Sequence, residues 1–224
     1  LVALWRTSGL MEAAGAGGFV RITLLPMGVV TVLVAGLFLL KQRDLKRMLA
    51  YSSMENVGLM AVAIALSTGS GFALQASNHS LVKVALFLLA GNLLQQHGTK
   101  SIREIRGVLT TSPAQAMILL LAVIAVAGTP PFGSFLAEWQ ILSAAAGARH
   151  IATVVVLCVA LAIAFIALSV HTASMVFGEP AAGKSEERRA FSLTAIPGLL
   201  LIASLLLGVM LAPAVFALAN EVAR

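Results

Sequence analysis

Charge is scarce in this sequence. Only 11% of its 224 residues are Asp, Glu, Lys or Arg, against about a quarter in a soluble globular domain, so a surface built for water is excluded. Cysteine is reduced to one residue, Cys158. That excludes an internal disulfide and a cysteine-ligated cluster within the chain; lying in an apolar run, Cys158 is read as a packing residue. There is no H-E-x-x-H spacing and no Gly-rich phosphate loop following a strand. The scattered histidines supply no ligand set, so no metal, no other cofactor and no catalytic redox centre is expected of this chain. The first residues, Leu1-Val2-Ala3-Leu4-Trp5, lack the charged start and small-residue cleavage site of a signal peptide. They read as the inside of a helix, and the N-terminus is expected to be a cut through a longer protein.

What the chain has is hydrophobic length. Apolar residues make up 59% of it. A bilayer core about 30 Å thick takes roughly 20 helical residues, and apolar stretches of that order run over 22–40, 48–67, 72–95, 151–176 and 192–218. A longer one, 113–146, is interrupted by Pro130-Pro131. These runs are two to three times longer than the alternating ten-residue segments of a transmembrane barrel, leaving helices as the way to satisfy the backbone in lipid. The expected fold is therefore all-α: one polytopic transmembrane bundle over 1–224, with about six crossings, a partial N-terminal helix and a Pro-broken discontinuous helix.

The placement of charge says more than its net value of +6. Lys41, Arg43, Lys46, Arg47, then Lys100, Arg103, Arg106, then Lys184, Arg188 and Arg189 fall in loops of one side. Arg21, Arg149 and Arg224 fall on the other. This positive-inside pattern puts the first group in the cytoplasm, provided 113–146 is a single broken crossing. The basic residues act as topology anchors, and nucleic acid is not an expected partner.

Against this background a few polar residues are out of place. Lys83 sits mid-way along 72–95, about half a bilayer from either end, where its side chain cannot easily reach headgroup water. His79 lies one turn before it on the same helical face, with Asn78 and Ser80 adjacent. Glu138 follows the Pro130-Pro131 break, where the missing amide donors split the helix; in lipid such a break is tolerated only inside the protein or beside a water-filled cavity. Glu55 lies in the second crossing beside Asn56, and Lys46 marks its boundary with the basic loop. Lysine, histidine and glutamate buried on separate helices are what a chain of proton-exchanging sites requires. A set of static polar clasps between helices is the competing reading. His97 and His171 read as structural.

Three segments carry a resemblance. Asp44-Leu45-Lys46-Arg47-Met48-Leu49-Ala50-Tyr51-Ser52-Ser53, Asn78-His79-Ser80-Leu81-Val82-Lys83 running on to Gly91-Asn92, and Gly128-Thr129-Pro130-Pro131-Phe132-Gly133 with Phe135 and Glu138 are similar, in order and spacing, to signatures of the antiporter-like membrane subunits. That superfamily is shared by respiratory complex I, Mrp-type cation/proton antiporters and membrane-bound [NiFe] hydrogenases. Ser52-Ser53-Met54-Glu55-Asn56-Val57-Gly58 and the Gly-x-Pro-Pro-Phe-Gly segment most resemble the hydrogenase-4 component F and formate hydrogenlyase branch, although Asn56 stands where the motif usually has His.

The resemblance implies the C-terminal half of a fourteen-helix subunit in a bacterial inner membrane. It places Lys83 on a central proton-transfer axis and Glu138 at the end of it. The implied partners are other membrane subunits of a hydrogenase or complex I-like oxidoreductase, membrane lipids, and protons or Na+ as the transported ion. Complex I and Mrp subunits, and a structural scaffold of such a complex, are the alternatives.

Overall fold

The computed structural model of the chain describes residues 1–179 and 190–222. Lys184, Arg188, Arg189 and Arg224, counted above for orientation, lie outside the described residues. Among those described the chain is helical: α1 (Val2–Ala13), α2 (Gly17–Leu40), α3 (Leu45–Ala65), α4 (Gly69–His97), α5 (Val108–Thr111), α6 (Pro113–Val126), α7 (Gly133–Gly147), α8 (Ile151–Phe177) and α9 (Ala190–Val222). The helices α2, α3, α4, α8 and the Thr194–Leu211 part of α9 are long and apolar enough to cross a membrane, and α6 is a shorter apolar helix. Large apolar side chains such as Ile22, Val170 and Met210 are well over half exposed. The protein is a membrane-embedded helix bundle whose outer surface is apolar because lipid is its solvent.

The helix ends follow local chemistry. Asp44 caps α3, its carboxylate accepting from the amides of Lys46 (2.9 Å) and Arg47 (3.1 Å). Two amides left without an intrahelical partner at that end are thus satisfied. Pro113 opens α6, where a missing amide costs nothing. Gly98, in the left-handed region at φ 68°, closes α4.

Helix packing rests on small residues. A Cβ on Gly28 would lie 2.8 Å from the Gly58 carbonyl oxygen, and one on Gly58 would lie 2.9 Å from that of Gly28. The backbones of α2 and α3 therefore approach as closely as glycine allows, the means by which helices associate where no hydrophobic force acts between them. Gly15, at φ 80°, turns the chain between α1 and α2.

The discontinuous helix is present. With 14 and 15 residues, α6 and α7 are each about 21–22 Å long, too short to cross alone. Between them run Ala127 to Phe132, with a cis bond at Pro130-Pro131. α9 lies directly against the break, where a Cβ on Gly208 would overlap the Pro131 carbonyl. α4 is the central element, touching α3, α6, α7 and α9.

The two basic loops meet at one end. Leu45 donates its amide to the Lys100 carbonyl and Ile102 to that of Arg43, each at 2.9 Å, and the Lys100 ammonium is 3.2 Å from the Asp44 carboxylate. The Ser67 turn is at the other end of α3 and α4, its hydroxyl bonded to Glu12. The expected sharing of one side by these two loops is thus built into backbone hydrogen bonds.

Candidate functional site

Lys83 occupies the midpoint of the 29-residue α4 and is buried, 5% exposed. Its ammonium reaches across to α3, donating to the Leu49 carbonyl at 2.9 Å and to the Ser52 hydroxyl. A cation in this position must be given acceptors or it costs several kcal/mol. Glu55, 5% exposed and nearly one turn above Ser52, feels the Lys83 charge, and Glu138 on α7 feels that of Glu55. His79 is half-buried one turn before Lys83 and also in its field, with Nδ1 buried and without a hydrogen-bond partner. Glu55, Lys83 and Glu138 are thus buried in the bundle on α3, α4 and α7, with His79 half-buried one turn from the lysine.

Glu138 is seated by the break. Gly128 terminates α6 in the left-handed region at φ 67°, and a side chain there would overlap the Glu138 carboxylate. Glycine is required twice over: for the backbone conformation, and for the space the carboxylate fills.

Lys46 is placed differently. It is exposed in the first turn of α3 at the basic end, roughly 13 Å along the helix axis from Glu55. Ser80, expected to add polarity beside His79, faces outward and bonds its own Ala76 carbonyl at 2.8 Å. Cys158, expected to pack, is exposed on α8, because the apolar run holding it has a lipid-facing side as well as a buried one. His171 Nε2 lies 3.0 Å from the Leu39 carbonyl and ties α8 to the end of α2.

The sequence reading missed most of the neutral partners. Gln75, buried on α4, donates to Asn56 Oδ1 at 2.6 Å, and Asn56 Nδ2 donates to the Ser52 carbonyl at 2.9 Å. Gln75, Asn56, Ser52 and Lys83 therefore form one polar seam between α3 and α4. Asn78 on α4 bonds Ser134 on α7 and Ser204 on α9. The signal available was spacing: Gln75, Asn78, His79 and Lys83 recur at three- and four-residue intervals, one face of a helix. Among the described residues no His, Cys, Asp and Glu group is arranged to hold a metal ion.

Ionisable side chains buried beside a broken helix in a lipid-facing bundle define a class: polytopic membrane proteins with a polar axis inside. Residues 1–164 match the family model described as NADH:quinone oxidoreductase/Mrp antiporter, TM, and the chain belongs to that family. It is 37% identical over 169 residues, 74% of this chain and 35% of the relative, to a hydrogenase-4 component F homolog of Methylacidiphilum infernorum (isolate V4). It is 31% identical over 135 residues, 54% of this chain and 22% of the relative, to formate hydrogenlyase subunit 3 of Escherichia coli (strain K12). Among solved structures, a chain of an archaeal membrane-bound sulfane sulfur reductase superposes with a TM-score of 0.79 at 25% identity, covering 92% of this chain and 43% of that one. For respiratory complex I from Thermus thermophilus the TM-score is 0.73 at 22% identity, covering 93% and 45%. The chain thus spans less than half the length of each of these relatives.

Proposed function

We propose that this chain is part of a proton-translocating membrane subunit of a redox-driven complex, of the membrane-bound [NiFe] hydrogenase or formate hydrogenlyase kind. The observation that carries the reading is the mid-membrane Lys83, anchored on α3 by Ser52 and the Leu49 carbonyl, with Glu55 and His79 in its electrostatic reach and Glu138 in that of Glu55. A proton moved onto or off one of these groups changes the field at the next, and away from water that coupling is strong. Lys83 can exchange its proton with the Ser52 hydroxyl it is bonded to and from there toward Glu55, nearly one turn further along α3, and Glu138 takes the step at the break. Lys46, exposed at the basic end, stands at the mouth of the path. The partners of this reading are the other membrane subunits of such a complex and the lipids of a bacterial inner membrane.

The identity to the hydrogenase-4 component F homolog favours the hydrogenase branch. A complex I subunit is the second reading, favoured by a 30% match over 200 residues to NADH-quinone oxidoreductase subunit N 2 of Opitutus terrae. The test is turnover-driven acidification of inverted membrane vesicles holding the whole complex, fed with formate or hydrogen in one arm and NADH in the other. Lys83→Met should abolish pumping while the complex still assembles, because an apolar chain of similar volume replaces a buried ion at little cost. Normal pumping by this variant would overturn proton transfer through Lys83; pumping with NADH alone would favour the complex I reading.

A further inference from the structure

We propose that Asn78 is a positioning residue that clamps the broken helix and thereby holds Glu138 in place, an inference that rests on the proton-transfer reading above. In an unbroken helix the Ala125 carbonyl would accept from the amide of residue 129. Here the Thr129 amide bonds the Ile124 carbonyl instead, at 3.4 Å, and the Ser134 hydroxyl from the far side of the break donates to Ala125 at 2.6 Å. Ser134 in turn accepts from Asn78 Nδ2, and Asn78 Oδ1 accepts from the Ser204 hydroxyl at 2.6 Å.

The donors run one way, from α9 to α4 to α7 to the end of α6. All three side chains are at most 2% exposed. The fit is tight around them: a Cβ on Gly133 would lie 2.9 Å from Asn78 Oδ1, and Gly208 of α9 lies on the backbone of the break. Ser134 and Glu138 are four residues apart on α7 and so share a face. What fixes Ser134 therefore fixes the turn that presents Glu138. Asn78 is also the neighbour of His79 and one residue more than a turn from Lys83, so one helix holds the lysine and the clamp on the carboxylate's helix.

Two measurements on the intact complex test this. Hydrogen exchange of the amides in 127–133 should speed up about tenfold in Asn78→Ala and in Ser134→Ala, the effect of one lost buried hydrogen bond on local opening. Because they are links of one chain, the double variant should be little faster than either single one. Unchanged exchange in Asn78→Ala, or additive effects in the double variant, would overturn the clamp. Protons moved per electron pair should fall in Asn78→Ala while electron turnover holds, and the fall should vanish in a Glu138→Gln background, where the group being positioned has already been removed. A deficit that adds to that of Glu138→Gln would show Asn78 to act elsewhere and overturn the proposal. Normal pumping by Glu138→Gln itself would count against the proton-transfer reading, leaving the exchange result to decide the clamp.

Discussion

Glu138 differs from Lys83 in how it is held. Lys83 has two acceptors on a neighbouring helix, so its place depends on α3–α4 packing. The Glu138 carboxylate fills the volume a side chain at Gly128 would take, so its place depends on the break. Substitutions should separate charge from shape. Glu138→Gln keeps size and hydrogen bonding but cannot titrate, whereas Glu138→Asp keeps the charge with a shorter reach. Pumping per turnover should be largely lost in Gln and partly kept in Asp, measured in the same inverted vesicles. Equal, near-normal pumping in both would make Glu138 a structural group. Lys83 was legible in the sequence because a charge at the centre of an apolar run has few explanations; the bonds that Ser52 and Asn78 make to other helices were not, because small polar residues occur throughout such helices for many reasons.

The N-terminus of α3 shows how one element is tied to the rest. Burial works against the charge of Asp44, but the amides of Arg47 and Lys46 and the Lys100 ammonium outweigh it, so its pKa lies below the ordinary carboxylate value. A carboxyl group depressed in the folded state stabilises at pH above its unfolded pKa of about 3.9, and that contribution is lost as pH falls through the native pKa. Asp44→Ala should therefore cost about 1 kcal/mol near neutrality, mostly as a lost cap, with little from the largely exposed Lys100 partner. Asp44→Asn, which keeps an acceptor for the amides, should recover most of it. Thermal unfolding of the purified protein at pH 7 and pH 3 checks the sign: the gap between wild type and Asp44→Ala should narrow at the lower pH, by the part that depends on the carboxylate charge.

The bundle as a whole has one basic end, where the 41–47 and 98–106 loops are joined by the Asp44–Ser101 bridge and its flanking hydrogen bonds. The bias of positive charge should put this end in the cytoplasm. In a Cys158→Ser background, a membrane-impermeant thiol reagent on intact cells should label Ser70→Cys and leave Glu104→Cys unlabelled. The opposite pattern would invert the topology. Cys158 is replaced so that each variant carries the introduced cysteine alone.

Membrane residence, the helical fold, the split at Pro130-Pro131 and the out-of-place charges of Lys83, Glu55 and Glu138 were all legible in the chain. Each is local, or a sum over local stretches: an apolar run of given length, a missing amide donor, a charge where lipid should be. The neutral network was not. Ser204 meets Asn78 across 126 residues of sequence, Asn78 meets Ser134 across 56, and Gln75 meets Asn56 across 19. Such pairs exist only once each helix has been rotated and brought to contact distance. In a membrane that rotation is set by small residues such as Gly28, Gly58, Gly133 and Gly208 packing against particular neighbours. Which residues are apolar is written along the chain; which face of each helix turns inward is decided by how closely backbones can approach.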